Sequence, residues 1–172
     1  MWKKIQVLSA LKYYWLILLT IGIVLESTAL IYQYLLDYYP CVLCIHVRII
    51  VLGIIIISLF ALNLQRFIKI TISLHLIMFT LLLLLLERSY NLLGVERGFV
   101  TGDCSMNSGL PTWFAIDQWL PWMFKIWEPC GYTPELIFSV TMAEALLVLS
   151  ITLLLFSFIA IWVSIKNYQG KV

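Results

Sequence analysis

The sequence predicts an all-α integral membrane protein, built as a four-transmembrane-helix bundle with a long outer loop. Of its 172 residues, 63% are hydrophobic and 12% are charged, whereas an average soluble domain has about 25% charged residues. The apolar residues are gathered into four stretches, each near the roughly 20 residues that cross the hydrocarbon core of a bilayer. We therefore predict a single membrane domain covering residues 1–172.

The boundaries of the four helices follow from charged and turn-forming residues. The first apolar stretch is bounded by Lys12 and Asp37, and the second begins after Pro40. The third ends before Glu87, and the fourth follows Glu144. We expect helices at about residues 14–36, 42–62, 67–86 and 145–165, with outer loops at about residues 37–41 and 87–144.

The first stretch follows several lysines, as the core of a cleavable signal peptide would. Its apolar part is longer than the usual core of roughly 7–15 residues, and no convincing A-x-A cleavage site follows it. It also contains two polar residues, Glu26 and Gln33. We therefore expect it to be retained as the first of four crossings, which places both termini on the same side of the membrane.

The basic residues predict the orientation. Lysine and arginine are concentrated at the termini and in the second connection, without acidic neighbours, at Lys3, Lys4, Lys12, Arg66, Lys69, Lys166 and Lys171. By the positive-inside rule this side is cytoplasmic. All four cysteines then face the oxidising compartment, where disulfides form and persist. The net charge of +2 is too small, and its basic residues too dispersed, to predict a nucleic-acid partner.

Cys41 and Cys44 form a C-x-x-C pair at the start of the second apolar stretch, directly after Pro40. In a helix, these two sulfurs and the guanidinium of Arg48 would share one face, because the three positions are i, i+3 and i+7. The positive end of the helix dipole and Arg48 both favour the nucleophilic thiolate form of Cys44 or Cys41. The pattern therefore predicts a redox-active dithiol with an electrostatic partner.

Other interpretations of this motif are weaker. A zinc site would need four ligands, and Cys104 and Cys130 are single residues rather than a second C-x-x-C, so we expect no metal. A structural disulfide across two residues would add little chain-entropy stabilisation. Alternatively, Arg48 only anchors the end of the helix at the membrane surface. Burying an arginine in lipid costs roughly 2.5–3.5 kcal/mol on membrane-insertion scales, which favours a side chain that extends to the surface.

The other two cysteines lie in the long outer loop among turn-forming residues that include Gly102, Pro129 and Gly131. A pair in mobile loops can be reached by a soluble partner and can also approach the C-x-x-C motif, as thiol–disulfide exchange requires. A static structural bridge is the alternative. Between the cysteines, residues 111–127 are rich in tryptophan and interrupted by proline, which predicts a short amphipathic element at the lipid interface or a rim packed on the bundle.

Four polar residues within or near the apolar stretches need an explanation. Glu26 shares one face of the first helix with Gln33, and we expect them to connect helices. His75 is expected to be a packing residue with its hydrogen bonds satisfied. His46 is of interest only because it is close to the dithiol in sequence.

Together these residues resemble the bacterial inner-membrane disulfide bond formation protein B (DsbB) family. The resemblance is carried in the first two spans by Glu26 to Leu30, Gln33, the run Pro40 to Cys44, and Arg48. In the outer loop it is carried by Cys104, the Pro111–Pro121 run with Trp113, Asp117 and Trp119, and Cys130. The third and fourth spans match only as apolar segments.

The resemblance implies a thiol:quinone oxidoreductase that reoxidises a periplasmic DsbA-like, thioredoxin-fold dithiol oxidase. Cys104 would form the mixed disulfide with this partner, and Cys130 would be its intramolecular mate. Cys41 and Cys44 would form the second pair, with Cys44 facing ubiquinone or menaquinone and Arg48 polarising a quinone carbonyl. The DsbA, DsbB and quinone system is known to keep the bacterial periplasm oxidising.

The direction of electron flow has a separate physical argument. A partner near about −120 mV is a strong oxidant, so passing its electrons to a glutathione-like acceptor near about −200 mV would be several kcal/mol uphill. A lipid-soluble quinone is the acceptor expected. Two alternatives remain at this point: a relative of vitamin K epoxide reductase, in which the C-x-x-C lies at the last helix, and a non-enzymatic membrane scaffold with structural disulfides.

Overall fold

The computed structural model describes residues 2–64, 68–101, 108–130, 134 and 140–169. Four long helices form the body of the molecule, and two short helices lie in the segment before the last of them. In chain order the helices are α1 (Trp2–Leu35), α2 (Val42–Leu64), α3 (Ile68–Glu96), α4 (Ile116–Trp119), α5 (Pro121–Phe124) and α6 (Met142–Gln169). Residues 108–130, which contain α4 and α5, are called the connecting segment below.

The predicted four-transmembrane-helix fold is confirmed. Each of the four long helices contains a stretch that is long and apolar enough to cross a membrane, at Lys12–Leu35, Val42–Leu64, Ile70–Glu96 and Met142–Lys166. The predicted end of the third helix near residue 86 was wrong, because the helix continues to Glu96. Glu87 and Arg88 are partly exposed and pair with each other, while Ser89 and Leu92 on the opposite face stay buried.

The long helices pair mainly in chain order, and rings of α1 also contact His75 of α3. α1 packs on α2, α2 on α3 and α3 on α6, whereas α1 and α6 share little direct contact along the residues described above. The buried core between them contains Trp15, Leu18, Val51, Met78 and Leu82. A cleft is therefore left between α1 and α6, with α2 at its base.

The ends of α3 and α6 beside the dithiol are tied together. Thr141 and Glu144 form a reciprocal capping box at the start of α6, with N···O distances of 3.1 and 3.3 Å. The Glu144 carboxylate also pairs with Arg97, just after the end of α3. At that end the Gly94 carbonyl accepts hydrogen bonds from Phe99 and Val100. A Cβ atom at Gly94 would lie 2.5 Å from the Val100 side chain, so this turn requires glycine.

The connecting segment is amphipathic and packs on the bundle. Met123 and Phe124 are buried in a cluster with Ile45 of α2. The Trp113 and Trp119 side chains on the other face are 77% and 61% exposed. The predicted amphipathic element is therefore present as a rim packed against α2, and contact of its tryptophans with lipid stays a prediction.

Candidate active site

Cys41 caps the N-terminus of α2. Its carbonyl accepts the backbone N–H of Ile45 at 3.0 Å, and its Sγ accepts the backbone N–H of Cys44 at 3.3 Å. These are the bonds of an N-cap residue, which satisfies donors that the first helical turn leaves free. The predicted helix therefore starts one residue after Cys41, and Cys44 lies in its first turn, at the positive end of the helix dipole.

The two sulfurs of the C-x-x-C pair are already adjacent. The Sγ atoms of Cys41 and Cys44 are 2.6 Å apart, so that bond formation between them requires only a small movement. Cys41 is 3% exposed, and Cys44 is less completely buried. The contact with Cys130 is the largest single influence and lowers the pKa of the Cys41 thiol. The neighbouring Cys44 sulfur and burial both raise this pKa, and together they outweigh Cys130, so the net shift is upward. The prediction of a favoured thiolate does not hold for Cys41.

Cys130 joins this pair from the connecting segment. Its side chain interacts with the Cys41 thiol and packs in the same buried cluster, with Leu92 of α3 and Ala143 of α6. Cys104 lies outside the described residues, so its predicted pairing with Cys130 stays a prediction. Three of the four cysteines predicted to be catalytic thus meet at one end of the bundle.

Arg48 is buried one turn beyond Cys44, with three partners. Its Nε atom lies 3.3 Å from Glu26 Oε1, and its Nη1 atom donates to Gln33 Oε1 at 2.6 Å and to the Met123 carbonyl at 2.8 Å. Only 4% of Arg48 is exposed. The side chain therefore turns inward, rather than extending to the membrane surface as a simple helix anchor would.

The partners of Arg48 explain how a charge is accommodated at this depth. An ion that is buried without compensation costs several kcal/mol, and both an opposite charge and hydrogen bonds reduce this cost. Glu26 supplies the charge, and Gln33 and Met123 supply acceptors. The predicted inter-helix role of Glu26 and Gln33 agrees with this arrangement. The Nη2 atom of Arg48 is buried and has no hydrogen-bond partner in the described part of the chain.

A cavity of about 190 Å³ lies beside these groups, in the cleft between α1 and α6. Cys44, Arg48, Glu26 and Gln33 all line it. The rest of its wall is mainly apolar or aromatic, and includes Tyr32, Tyr38, Pro40, Val47, Ala145, Leu146 and Leu149. Because an apolar cavity of about 150 Å³ holds a benzene molecule, this one has room for a single substituted six-membered ring.

The two histidines lie apart from the reacting groups. His46 Nε2 is 2.8 Å from the Ser108 carbonyl, and Ser108 Oγ donates to Asp117 Oδ2 at 3.1 Å, so His46 fastens α2 to the connecting segment. His75 stacks on Trp15 with ring centroids 4.6 Å apart. Its predicted packing role is confirmed, but neither ring nitrogen has a hydrogen-bond partner among the described residues, contrary to prediction.

Some groups at the site carried no recognisable signal in the sequence. The Met123 carbonyl is a backbone atom, and any residue could supply it. Met142, Ala145 and Leu149 of α6 form part of the cavity wall. The sequence of α6 predicts only a membrane-spanning helix and gives no sign of a binding site. Only the way α6 and the connecting segment pack in the structure shows that these groups belong to the site.

The arrangement is suited to moving electrons between two kinds of reactant. Cys130 and Cys41 are in contact, so thiol–disulfide exchange between them needs no large rearrangement. Cys44 lies between Cys41 and an apolar cavity that also contains a cation. One side of the site therefore fits sulfur chemistry, and the other side fits an apolar acceptor that becomes negatively charged as it is reduced.

Comparison with known proteins agrees with this chemistry. The family model described as "Disulfide bond formation protein DsbB" matches residues 11–160. A relative named disulfide bond formation protein B from Shewanella denitrificans is 31% identical over 144 residues, covering 82% of this chain and 81% of the relative. Relatives of the same name from Vibrio parahaemolyticus and Aeromonas hydrophila are 32% and 28% identical, covering 78% and 93% of this chain and 76% and 94% of their own.

Proposed function

This chain belongs to the DsbB family of disulfide bond formation proteins, and on that premise we propose that it is a thiol:quinone oxidoreductase of the bacterial inner membrane. It reoxidises a soluble, DsbA-like dithiol oxidase of the thioredoxin fold and passes the electrons to membrane quinone. The observation that carries the proposal is the position of Cys44. This residue touches Cys41 on one side and lines the cavity that contains Arg48 on the other.

Electrons enter through Cys104 and Cys130 of the outer loop. A thiolate of the partner attacks Cys104 in the Cys104–Cys130 disulfide, which forms a mixed disulfide and releases Cys130 as a thiolate. Cys130 then attacks Cys41 in the Cys41–Cys44 disulfide. A Cys41–Cys130 bond forms, and Cys44 leaves as a thiolate. The contact between Cys130 and Cys41 supports this step.

Electrons leave through the cavity. Quinone, when bound, supplies an acceptor for two electrons and two protons. The wall of the cavity fits its ring in size and polarity, and the unpaired Nη2 of Arg48 is a donor suited to a carbonyl oxygen. To complete the cycle, the second thiol of the partner would displace Cys104, and Cys104 would re-form its bond to Cys130 and release Cys41 as a thiolate. Cys41 and Cys44 would then re-form their disulfide as the acceptor takes up two electrons and two protons, and Arg48 would stabilise the negative charge on the acceptor.

The purified protein in detergent is expected to oxidise a reduced thioredoxin-fold dithiol partner only when quinone is supplied. The partner is the sole source of electrons, and each disulfide formed should match one quinone reduced. Free thiol and quinone absorbance are followed together. The control is the same protein after reduction and alkylation of its cysteines, which should be inactive.

Two outcomes of that assay would contradict the proposal. Partner oxidation at an equal rate without quinone would show that quinone is not the electron acceptor. An absence of any oxidation, combined with cysteines that stay fully oxidised in cells when respiration is blocked, would favour a scaffold with structural disulfides. Turnover of vitamin K epoxide in place of partner oxidation would favour the epoxide reductase alternative.

The proposed orientation places both termini in the cytoplasm and the cysteines in the periplasm, and single-cysteine labelling tests it. In a cysteine-free background, Gln118→Cys in the connecting segment should react with a membrane-impermeant maleimide on intact spheroplasts. Asn63→Cys at the other end of α2 should react only after permeabilisation. Both positions are exposed, so that access rather than burial decides the result. The reverse pattern would overturn the orientation.

A further inference from the structure

Gln33 connects two parts of the protein that approach the site from different directions. Its Oε1 atom accepts the hydrogen bond from Arg48 Nη1 at 2.6 Å, and its Nε2 atom donates to the Trp122 carbonyl at 3.2 Å. Gln33 is only 5% exposed. Its amide therefore bridges the arginine of α2 and the backbone of α5, while its own backbone belongs to α1.

Arg48 holds the neighbouring carbonyl of the same short helix. Its Nη1 atom donates to the Met123 carbonyl at 2.8 Å. The carbonyls of Trp122 and Met123 lie in the last turn of α5, where no intrahelical donor is available. Gln33 and Arg48 thus bind two successive carbonyls of α5, and the Tyr34 hydroxyl of α1 also donates to the first of them, that of Trp122.

The fastened segment continues directly to Cys130. Phe124 is fully buried, the backbone N–H of Trp127 donates to the Pro40 carbonyl at 3.1 Å, and Cys130 packs against Cys41. A single short piece of chain therefore carries both the contacts to Arg48 and the contact to the dithiol. When Cys130 changes its sulfur partner, the carbonyls that hold Arg48 belong to the segment that must move.

We propose that Gln33 is a positioning residue that couples docking of the connecting segment to the orientation of Arg48. With the segment docked, Gln33 and Met123 fix Nη1, and Nη2 is left for the oxygen of an acceptor in the cavity. With the segment undocked, the Gln33 amide loses Trp122 and Arg48 loses Met123, so the guanidinium is no longer held in one orientation. Because such coupling is reciprocal, binding of an acceptor stabilises the docked segment. This inference rests on the proposed function in taking the acceptor to be a quinone and Cys130 to change its sulfur partner.

Hydrogen–deuterium exchange of residues 121–127, read by mass spectrometry, tests the coupling in the full-length protein. The amide proton of Trp127 bonds to the Pro40 carbonyl outside the segment, so its exchange reports undocking directly. Those of Met123, Phe124 and Lys125 bond within the segment, so their exchange reports loss of the α5 turn that docking stabilises. Decylubiquinone is expected to slow this exchange by about tenfold in the unmodified protein, within the usual range of allosteric coupling. In Gln33→Leu the slowing should fall to about threefold or less. The Arg48–Met123 and Tyr34–Trp122 bonds remain, but the amide that links Arg48 to the Trp122 carbonyl is lost.

A second variant keeps the test decisive if Gln33→Leu folds poorly. Gln33→Glu retains an oxygen for Arg48 but has no amide donor for the Trp122 carbonyl, so it should bind decylubiquinone and still lose the protection. Thr20→Val is the matched control on α1, since its hydroxyl bonds only within the helix, and it should behave as the unmodified protein.

The outcomes separate this inference from the proposed function. Equal protection in the unmodified protein and in both Gln33 variants would overturn the coupling role. Decylubiquinone binding without any protection of residues 121–127 would overturn it as well, while leaving the quinone site in place. A complete lack of decylubiquinone binding, measured by quenching of tryptophan fluorescence, would contradict the proposed function itself.

Discussion

Cys44→Ser is expected to reduce quinone-dependent oxidation of the partner by about three orders of magnitude or more, as loss of a nucleophile commonly does. A serine hydroxyl cannot form the bond to Cys41, and at neutral pH it keeps its proton. Neither the release of a thiolate toward the cavity nor the regeneration of the Cys41–Cys44 disulfide is then available. Initial rates of quinone reduction, with a reduced dithiol partner in excess, give the measurement.

The substitution leaves the surrounding structure largely unchanged. The backbone N–H of residue 44 still donates to Cys41 Sγ, so the N-cap of α2 is retained. Capture of the partner at Cys104 should continue, because no bond of that step involves residue 44. Thr152→Val is a suitable control, since its hydroxyl bonds only to the Val148 carbonyl of its own helix. Turnover in Cys44→Ser equal to that of the control would show that Cys44 takes no part in the reaction.

The fold could be predicted because membrane-spanning helices are recognisable from their length and apolar composition. The error at α3 shows the limit of that signal. Glu87 and Arg88 end the apolar run, but they do not end the helix, since Ser89 and Leu92 on its other face remain buried by neighbouring helices. A charge pair therefore marks where the lipid-compatible surface ends, whereas the end of a helix is decided by capping, here by the turn around Gly94.

The site was predictable where chemistry depends on residue type. Cysteine spacing and an intramembrane arginine identify the dithiol and its electrostatic partner, and Glu26 and Gln33 follow from polarity on one helix face. The contact between Cys130 and Cys41 could not be predicted, because it depends on where the connecting segment folds back. The same holds for the Met123 carbonyl, which becomes a partner of Arg48 only because α5 packs above it.

Cys41 illustrates how local geometry changes a prediction made from sequence spacing. The sequence placed it just before a helix and favoured the thiolate of either Cys44 or Cys41. As the N-cap residue it is instead buried with its sulfur against Cys44, and the pKa of its thiol is raised. Cys41 is therefore better suited to be the sulfur attacked by a thiolate than to be the attacking thiolate. This agrees with its position between Cys130 and Cys44.

Arg48→Ala is expected to impair quinone reduction far more than partner capture. Loss of a preorganised donor that stabilises developing charge typically costs about 10²–10³-fold in rate. Arg48 lines the same cavity as Cys44, and its buried Nη2 has no hydrogen-bond partner among the described residues. In the proposed reaction, capture of the partner at Cys104 does not involve this charge. Rapid-quench measurement of the mixed disulfide should therefore give a rate near that of the unmodified protein, while quinone reduction falls.

The same substitution also carries a structural cost that must be separated from the catalytic one. Removing Arg48 leaves Glu26 buried without its cation and Gln33 without its donor, and breaking a buried ion pair in this way costs roughly 3–5 kcal/mol. The double variant Arg48→Ala, Glu26→Gln removes the unpaired charge. It should recover much of the lost thermal stability and none of the quinone reduction. Recovery of both would assign Arg48 a structural role only, and a larger loss in partner capture than in quinone reduction would reverse its place in the electron path.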